Sequence, residues 1–262
     1  MAKTLGIAFG GSGAEGIACV AYIKALEEAG IKPDVVSGTG IGGVAAAMYA
    51  SGMTSGDIMS FIEEIEFPGT KRPINIFKVK DARMGILDDM GLEEYFKMVM
   101  PIKVFDRLYF PLKIVAADYE TGSEVVFSSG DVGHAVRAGA AVPGILSPYE
   151  KNGVIYIDGS CVNPVPFDII RGECDVLVAI DPDTDQEADG DRDISVFQAM
   201  LSSYANTRKS LSREKQKACK VDLYEHVTIP GITTFDFCRY DEIISYAGEN
   251  AGSFIAELQD LL

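Results

Sequence analysis

Two glycine-rich segments sit where strands would hand the chain over to helices, and each has the spacing of a site. The first, Gly11-Ser12-Gly13-Ala14-Glu15-Gly16, follows the apolar residues 5–9. Glycines between a strand and a helix N-terminus let backbone N–H groups come close to an anion. That anion would be either a dinucleotide pyrophosphate or the oxyanion that develops during acyl transfer. The segment matches G-x-G-x-x-G literally, and a dinucleotide site would then want an acidic residue at the end of the second strand to hold a ribose. Asp34 stands at that strand's start and Ser37-Gly38-Thr39 at its end, which disfavours a nucleotide. A glycine turn with a purely structural role remains open.

The second segment, Gly38-Thr39-Gly40-Ile41-Gly42, fits the frame of the G-x-S-x-G nucleophile elbow at every position except the centre. Small flanking residues permit a sharp strand-to-helix turn that lifts the central side chain into a site. Gly40 has no side chain to lift. Taken alone, the segment also reads as an ordinary glycine-rich turn. Neighbouring hydroxyls are poor substitutes: Thr39 is expected to point to the opposite face, Ser37 lies at the strand's end, and Ser12 lies in the loop that would donate N–H groups. His134 and His226, the only histidines, read as core or surface residues rather than as members of a Ser-His-Asp arrangement. Asp118 reads as a residue that closes a turn.

Charge and composition exclude several classes. The formal net charge is -16, so nucleic-acid phosphates and anionic membrane surfaces are repelled at long range and no nucleic-acid partner is expected. Seven acids fall within residues 181–193 against the single Arg192, the pattern of a solvated loop. A Ca²⁺ loop is the lesser reading, because Gln186 and Arg192 stand where an EF-hand counted from Asp181 needs glycine and glutamate. Five cysteines, an odd number without metal-ligand spacing, read as reduced thiols of a cytoplasmic protein; no metal and no cofactor is expected. The N-terminus shows no signal-peptide pattern. No apolar run approaches the roughly 18 residues of a membrane span, so any membrane contact is expected to be peripheral.

The glycine segments need two successive strand-loop-helix units to hold them. Residues 5–9 supply the first strand, followed by Ile17, Val20, Ile23, Ala25 and Leu26 at roughly helical spacing. Residues 34–36 supply a second short strand, 37–40 a turn, and 41–49 a helix of small residues. This alternation predicts a mostly parallel sheet with helices on both faces and functional loops at the carboxyl ends of its strands. Further on, 58–65 and 92–99 read as amphipathic helices and 67–81 as a cap or lid. Residues 112–117 form a buried strand that 124–127 can pair with as a hairpin. Strands at 154–157 and 176–180 come next, then helices at about 194–218 and 241–262. No repeat or linker divides the chain, and residues 1–262 are expected to form one domain.

One further block is long and specific: Arg137-Ala138-Gly139-Ala140-Ala141-Val142-Pro143-Gly144-Ile145-Leu146-Ser147-Pro148, then Tyr156-Ile157-Asp158-Gly159-Ser160-Cys161-Val162-Asn163-Pro164-Val165-Pro166. It resembles the block around the catalytic aspartate of the patatin-like phospholipases, and it comes after a glycine loop and an elbow in that family's order. The resemblance covers about residues 4–180, and the acidic loop and C-terminal helices of 181–262 lie beyond it. It implies a patatin-like three-layer α/β/α sandwich with a mostly parallel central sheet, and hydrolysis of lipid acyl esters by a Ser–Asp dyad. On that resemblance Asp158 is the base, the N–H groups of Gly11, Ser12 and Gly13 form the oxyanion hole, and Gly40 occupies the nucleophile position. Glycine offers no nucleophile. Glu15 stands where the family usually shows Arg or Lys, and an acid beside an oxyanion site would oppose charge development there. Two departures in company read as inherited drift rather than as replacement of one catalytic group. The implied ligand is a lipid or acyl ester, with chemistry absent or much weakened. The alternative is a non-catalytic module that holds an acyl chain or carboxylate without cleaving it.

Overall fold

Strand β1 (Leu5–Phe9) is buried along its whole length, as a strand must be when parallel neighbours flank it and both sheet faces are covered. The computed structural model describes residues 3–11, 13–64, 92–143, 146–184 and 195–262. Ser12, the cap or lid expected at 67–81 and residues 185–193 of the acidic run lie outside the described residues. On one side β1 pairs in parallel with β2 (Val35–Thr39), and β2 in turn with β3 (Leu112–Asp118). On the other side it pairs in parallel with β7 (Val176–Thr184), which carries the parallel β8 (Leu223–Ile229). Three strands with antiparallel partners complete the sheet among the described residues. β4 (Glu124–Phe127) runs antiparallel to β3, and β6 (Val154–Asp158) does the same while forming a hairpin with β5 (Tyr149–Lys151).

Alternation along the strands divides the core between two faces. Leu5, Ile7 and Phe9 of β1 and Val176, Val178 and Ile180 of β7 join the larger cluster with α1 (Cys19–Glu28), α2 (Gly40–Ala50) and α7 (Tyr240–Leu261). Helices α3 (Ser55–Glu64), α4 (Leu92–Val99) and α5 (Val132–Gly139) extend that layer. Ala8, Leu177 and Ala179 face the other way, against Val165, Phe167 and Ile170. This second face is closed by the short turn Asp168–Glu173 and by α6 (Val196–Ala218), whose buried Ser212 hydroxyl meets that of Tyr224 at 2.7 Å. The architecture is thus a mixed α/β fold around a central, mostly parallel sheet, as the strand-helix alternation predicts.

The structure departs from the expected elements at three places. The second strand does not stop at Val36: Ser37, Gly38 and Thr39 continue it, and α2 starts directly at Gly40. Gly38 is there for close approach, since a Cβ on it would lie 2.5 Å from the Cα of Gly43 on α2. The first four residues of the acidic run are not loop but the end of β7, because β8 pairs with them from Asp181↔His226 to Thr184↔Ile229. Asp183 is buried there and bridges Lys209 at 2.8 Å. β8 itself is an addition to the expected strands, although Leu223 to Ile229 is a β-branched and aromatic run bounded by Asp222 and Pro230.

The contact between Gly38 and α2 sets a stability prediction. Gly38→Ala must push α2 away from the sheet and should cost about 1–3 kcal/mol, the usual penalty for overpacking. Gly172→Ala, where an added Cβ meets nothing within 4 Å, should be close to neutral. Urea unfolding of both variants checks this, and equal midpoints would contradict the packing described.

Candidate active site

The positions of Gly40 and Asp158 are set by how three strands share the edges of β3. β4 takes one edge of β3 over residues 114–117. The other edge is shared in succession, by β2 over 112–115 and by β6, running in the opposite direction, over 116–118. β2 and β6 therefore meet end to end. Thr39 pairs with Val115 and Asp158 with the next residue, Ala116. The junction is tight: a Cβ on Gly159 would lie 2.5 Å from Thr39 Oγ1. Asp158 N–H donates to Ala141 O at 3.0 Å, which ties the aspartate to the segment after α5.

At the same junction the backbone turns sharply. Thr39 is extended (φ -141°, ψ 153°) and Gly40 takes φ +57°, the left-handed region that costs a non-glycine residue of order 1–3 kcal/mol. This is an elbow in geometry as well as in sequence frame. The glycine loop packs on it from β1, the strand where the sheet order switches direction. Gly10 N–H donates to Ile180 O at 2.9 Å, and Gly42 N–H donates to Gly11 O at 3.2 Å. Gly11 is thus fixed to the first turn of α2, in the crevice where α/β sheets hold their ligands.

Gly13 N–H is turned inward. It donates to Glu15 Oε1 at 3.1 Å, and the same oxygen accepts from Arg208 Nη1 at 3.3 Å. Both partners are buried, Glu15 at 1% and Arg208 at 7% exposure, so neither charge is screened by solvent. The acid expected to oppose charge in the loop therefore has a cation at hand. Sequence reading could not pair them, because Arg208 lies 193 residues away on α6.

Asp158 is fully buried. Its Oδ1 accepts from Ser160 N–H at 3.0 Å and its Oδ2 from the Tyr204 hydroxyl at 3.1 Å. Burial pushes its pKa up to about 6, while Ser160 N–H, the Arg208 charge and the Tyr204 hydroxyl hold it from rising further. Arg208 stays charged despite burial because Glu15, Tyr204 and Asp158 raise its pKa above the usual value. Its guanidinium lies 5.8 Å from the Tyr204 ring centroid. Cys161 Sγ is 3.6 Å from the Tyr204 hydroxyl, but burial and then Asp158 push its thiol up to about 11, which keeps it from acting as a thiolate. Tyr204, Arg208 and Ser212 recur every four residues along one side of α6. That spacing is visible in the sequence, but nothing in it indicates which strands α6 faces.

The remaining candidates are engaged elsewhere. Ser37 Oγ donates to Pro166 O at 2.7 Å. His134 sits 3.2 Å from the Tyr149 hydroxyl among Phe127 and Tyr156, and burial lowers its pKa. His226 lies 3.4 Å from Asp181, which raises its pKa. Asp118 Oδ1 accepts from the N–H groups of Glu120 and Thr121 and so closes the β3–β4 turn. Among the described residues the buried hydroxyls of Thr39 and Ser160 make no hydrogen bond. Also among them, no group of three or more His, Cys, Asp and Glu side chains could hold a metal ion. The arrangement brings a buried carboxylate close to an elbow whose central residue has no side chain, with a glycine loop alongside.

Comparison with known proteins places this arrangement in a family. The family model described as patatin-like phospholipase matches residues 7–171, which includes both Gly40 and Asp158. An uncharacterized NTE family protein of Mycobacterium tuberculosis is 29% identical over 175 residues, covering 66% of this chain and 29% of that protein. Patatin-like phospholipase domain-containing protein 6 of Mus musculus is 27% identical over 226 residues, covering 85% of this chain and 16% of its own length. The chain thus spans less than a third of either relative. In fold it is similar to the crystal structure of VipD from Legionella pneumophila, with a TM-score of 0.51 at 14% identity over 96% of this chain and 67% of that one. With a family match across well over half of its residues, the chain belongs to the patatin-like phospholipases.

Proposed function

We propose that the chain is a lipid acyl-ester hydrolase scaffold whose Ser–Asp dyad has lost its serine, so that its hydrolytic chemistry is absent or much weakened. The observation that carries this reading is the end-to-end meeting of β2 and β6: Thr39, the residue before position 40, and Asp158 pair with the consecutive β3 residues Val115 and Ala116. With serine at 40, its hydroxyl would pass a proton to Asp158 while its oxygen attacked the ester carbonyl. N–H groups of loop residues Gly11 and Ser12 would receive the oxyanion, and that of Gly13 only on leaving Glu15. The alcohol would then leave with the proton from Asp158, and water would release the acyl group by the reverse sequence. Glycine at 40 removes the attacking group, so no acyl-enzyme forms and only the carboxylate and the N–H donors remain. The ligand class in this reading is a lipid or acyl ester, met at a membrane surface by peripheral contact in the cytoplasm. Among the described residues no helix is long and apolar enough to cross a membrane.

A second reading, that the site holds an acyl carboxylate without cleaving anything, is favoured by one contact. Gly13 N–H is aimed at a carboxylate, that of Glu15, which an acyl carboxylate would have to displace. A fatty acid that raises the melting temperature of the unaltered chain would support it.

Three outcomes test the leading reading. Ester turnover by the chain as it stands should be near background, since removing a nucleophile leaves at most of order 10³–10⁴ over the uncatalysed rate. Gly40→Ser should unfold about 1–3 kcal/mol more easily because of the positive φ, yet gain ester hydrolysis that Asp158→Asn abolishes. Its rate should rise with pH through about 6 as Asp158 ionises. Saturable hydrolysis that survives Asp158→Asn would place the chemistry elsewhere.

Burial of Asp158 also has a stability signature. Because the folded carboxyl titrates at about 6 rather than 3.8, its contribution to stability is full below 3.8 and is lost as pH rises through 6. Above that pH the buried charge costs up to about 3 kcal/mol. Asp158→Asn should therefore raise the melting temperature at pH 8 by several degrees and change it little at pH 4. A rise of equal size at both pH values would contradict the assignment.

A further inference from the structure

We propose that Arg208, held in place by Glu15, is a positioning residue that sets a fixed positive charge against Asp158 and so couples the glycine loop to the base through α6. This rests on Asp158 being the base of the site. The path is short: Glu15 Oε1 takes both Gly13 N–H at 3.1 Å and Arg208 Nη1 at 3.3 Å. The Arg208 guanidinium lies beside the ring of Tyr204, whose hydroxyl donates to Asp158 Oδ2 at 3.1 Å. Tyr204 and Arg208 are one helical turn apart on α6, and both lie beyond the family match at 7–171. This half of the site is therefore supplied by a part of the chain that the matched block does not include.

The pair is not built as a staple would be. A buried ion pair adds stability only when its remaining polar atoms are also satisfied. Here Glu15 Oε2 and Arg208 Nε make no hydrogen bond among the described residues. Buried pairs left in this state can often be replaced by hydrophobic side chains of similar volume at no loss of stability. What the pair does supply is one cation at a defined place between the loop and the carboxylate. The groups facing Asp158 are Ser160 N–H and Cys161 on its own turn and Tyr204 and Arg208 on α6. Those facing Arg208 are Glu15, Tyr204, Asp158 and Asp181. Arg208 is the one cation in either set.

The test is the titration of Asp158 itself, monitored by carboxyl-carbon NMR of the full chain labelled at aspartate, with the resonance assigned through Asp158→Asn. In the unaltered chain the midpoint is expected at about 6. Arg208→Met should raise it by about one unit, roughly a tenfold gain in proton affinity, and Arg208→Lys should largely keep it where it is. Glu15→Gln should move it the other way, since the cation is then no longer balanced. If Arg208→Met leaves too little folded protein, the double variant Glu15→Gln/Arg208→Met removes both charges together and should show a smaller rise in the same direction, because of the two it is Arg208 that acts on Asp158. An unchanged midpoint in the folded double variant, whatever its melting temperature, would reduce the pair to a structural contact and overturn the proposal. In the Gly40→Ser background the rise of kcat with pH should shift in parallel with the NMR midpoint. A Gly40→Ser chain that hydrolyses nothing would count against the hydrolase reading, while the titration would still decide the role of Arg208.

Discussion

The site depends on one constraint, that a single edge of β3 is shared by two strands running in opposite directions. β2 leaves that edge at Thr39, and β6, running the other way, leaves it at Asp158 beside Ala116. Neither strand could be one residue longer at the junction without colliding with the other. The chain must therefore turn out of the sheet at Gly40 and again at Gly159. The positive φ of Gly40 and the absence of a side chain at Gly159 are local answers to that demand. A hydrogen-bonded ladder is a stiff reference frame, so the spacing between position 40 and Asp158 is inherited from strand register rather than from loop conformation.

Charge is the second constraint. Glu15, Asp158 and Arg208 are all buried, and burying any one of them without the others would be costly. Of the three, Asp158 is the one whose carboxyl burial pushes up to about 6, with Ser160 N–H and the Arg208 charge holding it from rising further. A group tuned in this way loses stability on folding and gains suitability as a proton acceptor near neutral pH, the trade that marks functional sites. Gly40 works in the opposite sense, since it relaxes a turn that a nucleophile would strain.

How much of this is legible in the sequence depends on the range of the interactions. The elbow frame, the glycine loop and the Asp158 block are local patterns, and periodicity locates the elements around them: β1, α4, the β3–β4 hairpin and both C-terminal helices lie where spacing puts them, within a residue or two. The length of β2 is hidden because Ser37 and Gly38 are usual turn formers, whereas here a close helix requires a small residue within a strand. Asp181 and Asp183 look solvated because acids alternate through the run, yet β8, which spacing did not predict, recruits them into the sheet. Tyr204 and Arg208 escape sequence reading for a simpler reason. Their partners Asp158 and Glu15 lie 46 and 193 residues away, and only the path of α6 across the sheet brings them together.

The central claim is that position 40 and Asp158 belong to one acyl-transfer site. The most direct measurement is peptide mapping of Gly40→Ser after treatment with a long-chain alkyl fluorophosphonate, which labels a serine activated by a neighbouring base. The account predicts a single adduct, on residue 40, that disappears in Gly40→Ser/Asp158→Asn and is missing from the unaltered chain. Labelling at another residue, labelling that persists without Asp158, or a folded Gly40→Ser chain that takes up no label would contradict it.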